Sequence, residues 1–444
     1  MVTATEDEFW QRKSWVESAN NSLSGFPLQS LPYCSFVPSA NIDGTPHLGV
    51  GIGTFILDLY NLSRSGLLAE LSHATQSACM SPYLNELMCC GSEAWLALRH
   101  MLVDLLADHA GIAQQEAVAS MLVAAEDAQF LKPVTVENYT DFYASLHHAT
   151  NVGKLFRPDQ PLLPNYKWIP IGYHGRASSL VVSGTAIHRP HGQIKMPMQD
   201  SPIFAASTQL DYELEVSAYI GTGNALGTSI AIATAEDRIF GLSLLNDWSA
   251  RDIQSWEYQP LGPFLGKSFA TSISPWVVPT AALQPYRVPI YVRPSEDPQP
   301  LTYLSDPFHA QMGGIDMTLE VFLSTSRMRE ESLPPVLLSR GNLRDLYWSF
   351  AQMIAHHTSN GCNLVEGDLL ASGTVSGAHE GSEGSLLEIT RRGTSSIHLP
   401  SGEARTFLED GDEVVLKGFC EKIGFPRISL GECRGIILPS MRES

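Results

Sequence analysis

Residues 210–220 read LDYELEVSAYI, with an apolar side chain at alternate positions. Period two places Leu210, Tyr212, Leu214, Val216 and Ala218 on one face of a strand, and Asp211, Glu213, Glu215 and Ser217 on the other. Carboxylates at alternate positions stand about 6–7 Å apart and repel one another. That face is therefore either an outer surface bathed in water or a wall closed around a hard cation, which takes oxygen ligands from several carboxylates. Downstream, an apolar run over residues 239–244 leads into LNDWSARD (245–252), so Asp247 falls where a strand ends in a turn, as a turn residue or a ligand. Upstream, NYTDFYASLHHATN (138–151) puts Asp141 and His148 two turns apart on one face of a helical path, and Arg157 closes the segment.

Around this centre lies a chain of 444 residues, 44% hydrophobic and 17% charged, enough apolar material for a sizeable core. Its 28 basic and 47 acidic residues give a net charge of −19. Such a surface repels phosphate backbones and anionic lipid, so neither nucleic acid nor a membrane is expected as a partner. No apolar run approaches the roughly 18 residues of a membrane span, and the first ten residues lack a basic leader. The seven cysteines are scattered without a C-x-x-C pair, and the final MRES is no peroxisomal signal; both suit the cytosol.

Glycine and proline, 35 and 28 residues, favour turns over long helices, and the pattern predicts a mainly β fold with some α, an α+β class. Helices are expected at 5–20, opened by a Thr5-x-x-Glu8 capping pattern, at 92–109, at 114–130 and at 342–359 with Asn342 as its cap. Lys132-Pro133 marks a boundary between units 1–133 and 134–444. Gly49, Gly51 and Gly53 precede a strand rather than a helix, which excludes a dinucleotide loop and points to the close-packed face of a small barrel. GPFLGKS (262–268) has one residue too few for a phosphate loop, leaving Lys267 as a surface lysine or a cation held against anionic chemistry. The adjacent His356 and His357 diverge on a helix and cannot share a metal.

Longer runs resemble the fumarylacetoacetate hydrolase family: YTDFYASLHHATNVGKLFR (139–157), GYHGRASSLVVSGT (172–185), LDYELE (210–215), NDWSARDIQSWEYQPLGPFLGKSFATSISPWV (246–277), GCNLVEGDLLASGTVSG (361–377) and GSLLEI (384–389). Shorter matches, FPLQSLPYCSF (26–36) and GVGIGTFILDL (49–59), extend the likeness to the N-terminal part. The resemblance implies a small SH3-like N-terminal barrel with helices, followed by a β-rich catalytic domain, in a cytosolic homodimer. It also implies hydrolytic carbon–carbon cleavage of a β-diketo acid, 4-fumarylacetoacetate, to fumarate and acetoacetate, the last step of tyrosine and phenylalanine catabolism.

By the same resemblance, Asp141, Glu213, Glu215 and Asp247 bind Ca²⁺ or Mg²⁺, and Asp211 does not. Lys267 and Thr271 contribute oxygen atoms to a second, structural Mg²⁺. His148 is the implied general base and Glu388 its orienting carboxylate. Arg251, Gln254 and Lys267 stabilise developing charge, and Tyr143, Arg157, Tyr173, Gln254, Tyr258 and Thr374 line the substrate pocket. Glu383 departs from the family pattern, which has an aromatic or apolar residue there. Two other readings compete: a hydrolase or decarboxylase of a related β-diketo acid or acylpyruvate, and a catalytically silent cation-binding dimeric scaffold.

Overall fold

The computed structural model describes residues 6–21, 25–39 and 44–441. Near the N-terminus an antiparallel five-stranded sheet runs in the order Leu122–Ala124, Phe55–Asp58, His47–Ile52, Tyr33–Val37, Gln129–Leu131. Its two edge strands are joined by residues 125–128 alone. Laid flat, five strands would hold those edges about 19 Å apart, whereas the connector reaches about 17 Å at most. The sheet therefore curls into a half-barrel. Gly49 and Gly51 line its inside: a Cβ on Gly49 would lie 2.3 Å from Ile56 Cγ2, and one on Gly51 would lie 3.0 Å from Phe26 and Trp276. Gly53 turns the hairpin at φ +59°.

The expected helix at 114–130 is thus corrected. Helix Ile112–Ala119 stops early, and residues 122–131 become both edges of the half-barrel, because Val123 and Phe130 pack on its core of Phe26, Cys34, Phe36, Ile56 and Trp276. Helix Ser92–Leu106 forms as expected, with Leu98, Leu102, Leu105 and Leu106 buried. The 5–20 helix is also shorter, splitting into Glu6–Gln11 and a 3₁₀ turn Glu17–Asn20; Thr5 lies outside the described residues.

Beyond residue 133 an eight-stranded mixed sheet runs Gly172–Gly175, Tyr139–Phe142, Leu369–Ala371, Leu214–Ile220, Ile239–Asp247, Thr271–Ile273, Leu180–Val182, with Val278–Pro279 also pairing to Ile239–Asp247. A second sheet orders Val336–Asn342, Thr318–Ser324, Glu413–Cys420, Ile428–Leu438 and Ile187–His188. Leu214, Val216, Ala218 and Ile220 face the large core that also holds Trp248 and Trp348. On the opposite face Tyr219, with Phe240 and Leu245 of the neighbouring strand, joins the core of the N-terminal helices. Reciprocal backbone hydrogen bonds of 2.8 Å between Tyr33 and Val277 tie the half-barrel to this sheet.

The predicted helix at 342–359 is corrected too. Asn342 ends a strand and caps only a 3₁₀ turn, Leu343–Asp345. The helix proper, Phe350–Thr358, starts from a Ser349/Gln352 capping box. His356 turns to Tyr303 and His357 to Thr140, each at 3.0 Å, so the two rings diverge.

Candidate active site

The strand read at 210–220 is interrupted. Leu210–Asp211 pairs with Ser249–Ala250, and Leu214–Ile220 lies between Ile239–Asp247 and Leu369–Ala371. The alternation survives, but the acidic face is no outer surface: Asp211, Glu213 and Glu215 are all buried. Asp141 is not on a helix with His148 either. It lies on strand Tyr139–Phe142, and His148 on helix Leu146–Phe156, begun by the Ser145 side chain accepting from the His148 N–H at 3.2 Å. The two thus stand on successive elements, not on one helical face.

Asp141, Glu215 and Asp247 converge from three strands of the eight-stranded sheet, Leu369–Ala371 lying between the first two, with one ligand atom from each within 4.8 Å of the others. Asp141 Oδ1 and Glu215 Oε1 are buried and, among the described residues, find no hydrogen-bond donor. Glu213, one residue pair earlier on the same stretch, meets Arg251 Nη1 at 2.7 Å and Lys267 Nζ at 2.5 Å. Lys267 also reaches Asp247 Oδ2 at 2.5 Å, and the Thr271 hydroxyl donates to Asp247 Oδ1 at 3.0 Å. Tyr173 donates to Asp247 Oδ2 at 3.2 Å.

Five buried carboxylates (Asp141, Asp211, Glu213, Glu215, Asp247) thus face two buried cations, Arg251 and Lys267. Burial, reinforced by neighbouring carboxylates, pushes Asp141 and Glu215 well above the ordinary carboxylate range. Asp247 is raised by burial against the pull of Lys267. Glu213 is held below that range because Lys267 and Arg251 outweigh its burial. Orphaned carboxylate oxygens with excess negative charge, all hard donors, fit an oxygen-loving divalent cation.

Beside this cluster, His148 Nδ1 meets Glu388 Oε2 at 2.7 Å, both residues buried. Burial opposes the charge on Glu388, yet His148 and the hydrogen bonds of Asn151 and Ser385 hold its carboxyl below the usual range. The Tyr143 ring stands edge-on to the imidazole at 5.3 Å. Arg251 Nη2 and Thr374 Oγ1 are buried donors that find no hydrogen-bond partner among the described residues. Gln254 accepts from Arg251 Nη1 at 3.2 Å. Two other expected pocket residues sit further out: Arg157 is exposed and donates to the Pro161 carbonyl at 3.3 Å, and the half-buried Tyr258 accepts from Gln259 at 3.1 Å. Glu383 closes its own loop, accepting from the Gly381 N–H at 2.8 Å.

Asp211, which the family resemblance sets aside as a ligand, has a structural part of its own. Its Oδ2 accepts from Arg251 Nε at 2.9 Å and the Leu387 N–H at 3.0 Å, its Oδ1 from the Leu386 N–H at 2.8 Å. It thereby joins the arginine to the short helix Leu386–Ile389 that carries Glu388. Nothing local announces this, since the partners lie 40 and 175 residues away in the chain.

Two family models match the chain: "Fumarylacetoacetase N-terminal" over residues 29–133 and "Fumarylacetoacetate (FAA) hydrolase C-terminal" over residues 137–435. A fumarylacetoacetase of Caenorhabditis elegans is 48% identical over 434 residues, covering 96% of this chain and 99% of the relative. The fumarylacetoacetase of Rattus norvegicus is 45% identical, covering 94% and 97%. Among solved structures, a fumarylacetoacetate hydrolase from psychrophilic Exiguobacterium antarcticum superposes with a TM-score of 0.51 at 16% identity, covering 92% of this chain and 99% of that one, a likeness of fold.

Proposed function

The chain belongs to the fumarylacetoacetate hydrolase family, and from that premise we infer that it is a hydrolase of carbon–carbon bonds cleaving 4-fumarylacetoacetate to fumarate and acetoacetate. The observation that carries this reading is the near-complete coverage of fumarylacetoacetases at 45–48% identity. A buried imidazole–carboxylate pair beside a buried acidic triad supports it chemically.

Asp141, Glu213, Glu215 and Asp247 would hold a divalent cation, Ca²⁺ or Mg²⁺, and Thr271 and the main chain near Lys267 would serve a second, Mg²⁺. When bound, such a cation would supply Lewis-acid stabilisation of developing negative charge. His148 takes a proton from water through Nε2, while Glu388 on Nδ1 fixes the tautomer and stabilises the imidazolium. The water oxygen bonds to the carbonyl carbon next to the fumaryl part, giving a tetrahedral oxyanion. Arg251 has a free buried Nη2 to offer that oxyanion, backed by Gln254 and Lys267. When the carbon–carbon bond breaks, its electron pair leaves on acetoacetate, and the imidazolium returns the proton. Tyr143, Tyr173, Tyr258, Thr374 and Arg157 orient the substrate, the guanidinium being suited to a terminal carboxylate.

The protein works as a homodimer in the cytosol. Exposed Met198, Phe204, Leu261 and Phe264 support a partner surface, since the Trp256–Gln193 hydrogen bond (3.2 Å) joins the two segments that carry them. Seven free cysteines suit a reducing compartment. Among the described residues no helix is long and apolar enough to cross a membrane.

The test is loss of the diketone's ultraviolet absorbance when purified protein meets fumarylacetoacetate, with and without chelator, with products identified. Chelator-sensitive conversion to fumarate and acetoacetate is expected. Absence of turnover in folded, metal-loaded protein would refute the reading.

A further inference from the structure

We propose that Asn151 is a positioning residue that fixes the angle at which Glu388 meets His148, and so the orientation in which the imidazole faces water. The proposal rests on His148 acting as the general base. Glu388 Oε2 has three donors: His148 Nδ1 at 2.7 Å, Ser385 Oγ at 2.9 Å and Ser376 Oγ at 3.0 Å. Glu388 Oε1 is held by the Asn151 amide at 2.9 Å. An ionised carboxylate only accepts, so the amide nitrogen must be the end that faces it.

His148 and Asn151 are three residues apart on helix Leu146–Phe156, hence neighbours on one face. One rigid helix therefore grips both oxygens of one carboxylate, and the separation of ring and amide is set by helix geometry. The serines come from the other side, on residues 376–385, and all on Oε2. Without Asn151, three donors on one oxygen leave the carboxylate free to pivot about it, and Oε1 loses its partner in a buried place. His148, His147, Tyr143 and Tyr212 all feel the charge of Glu388, but His148 bonds Oε2, and among the described residues the hydrogen bond to Oε1 comes from Asn151.

The test uses the full-length, metal-loaded protein and fumarylacetoacetate, with Asn151→Leu and Asn151→Asp, both near Asn in size. In Asn151→Leu, kcat should fall by about 100-fold with KM within about twofold, the effect of misplacing a catalytic group by a fraction of its reach. Asn151→Asp should lose more, and the acid limb of its kcat/KM profile should move to higher pH, because a second carboxylate beside Glu388 favours a proton held on the pair. Cation affinity by calorimetry should be unchanged in both. Wild-type kcat and pH profile in either folded variant, or a lowered melting midpoint as the sole change, would overturn the assignment. A wild-type protein without turnover would instead remove the hydrolase reading on which it stands.

Discussion

His148 and its neighbour His147 are identical in composition and adjacent in sequence, yet the fold sets them in different surroundings. His148 is buried with Glu388 at 2.7 Å, whereas His147 is half-buried and has its pKa lowered by desolvation without a carboxylate on its ring. Substitution His148→Asn should abolish turnover, by about 10²–10⁴-fold, while cation content and melting midpoint stay as in wild type. Wild-type-like rates would remove His148 from the mechanism. The pairing of His148 with Glu388 spans 240 residues, so no local pattern contains it. What the sequence did show was residue type: an imidazole, several carboxylates at period two, and cations after Asp247. The structural parts of Asp211 and Asn151 escaped notice because they consist of partners, and hydrogen-bond partners across a fold leave no periodic trace.

At the scale of elements, period and punctuation were legible and boundaries were not. Alternation over 210–220 survives as a strand, with a break at residues 212–213 that lets Glu213 turn toward Arg251 and Lys267. The Ala-, Met- and Leu-rich run at 114–130 fits a helix by composition, but the half-barrel needs two edge strands, and burying Val123 and Phe130 there outweighs helix propensity. The glycines at period two correctly announce close packing. Gly49→Val should therefore cost about 1–3 kcal/mol, read by urea unfolding, because its Cβ alone would meet Ile56 Cγ2 at 2.3 Å and Phe36 Cε1 at 2.8 Å. An unchanged midpoint would mean that the half-barrel is looser than described.

For the whole molecule, the acidic cluster is a liability that folding accepts for the sake of a bound cation. Asp141, Glu215 and Asp247 meet at the centre of the eight-stranded sheet, where desolvation and mutual repulsion both oppose their charge. Stripping divalent ions should therefore lower the melting midpoint, and returning Ca²⁺ or Mg²⁺ at 100- to 1,000-fold above Kd should restore roughly 3–4 kcal/mol. A midpoint indifferent to chelator would contradict the cation site. The −19 net charge, the absence of a long apolar run and the β-rich, glycine- and proline-punctuated character were all determined by the sequence by itself, because each is a sum or a period along the chain. Family membership was legible too, because long matched runs fix residue identity and order. Tertiary structure alone decided that the acidic face lies inside, that Lys267 is buried between Glu213 and Asp247, and which donors hold Glu388. These are properties of which surfaces the fold covers and which distant atoms it brings within 3 Å, and burial and proximity exist only once the chain has closed on itself.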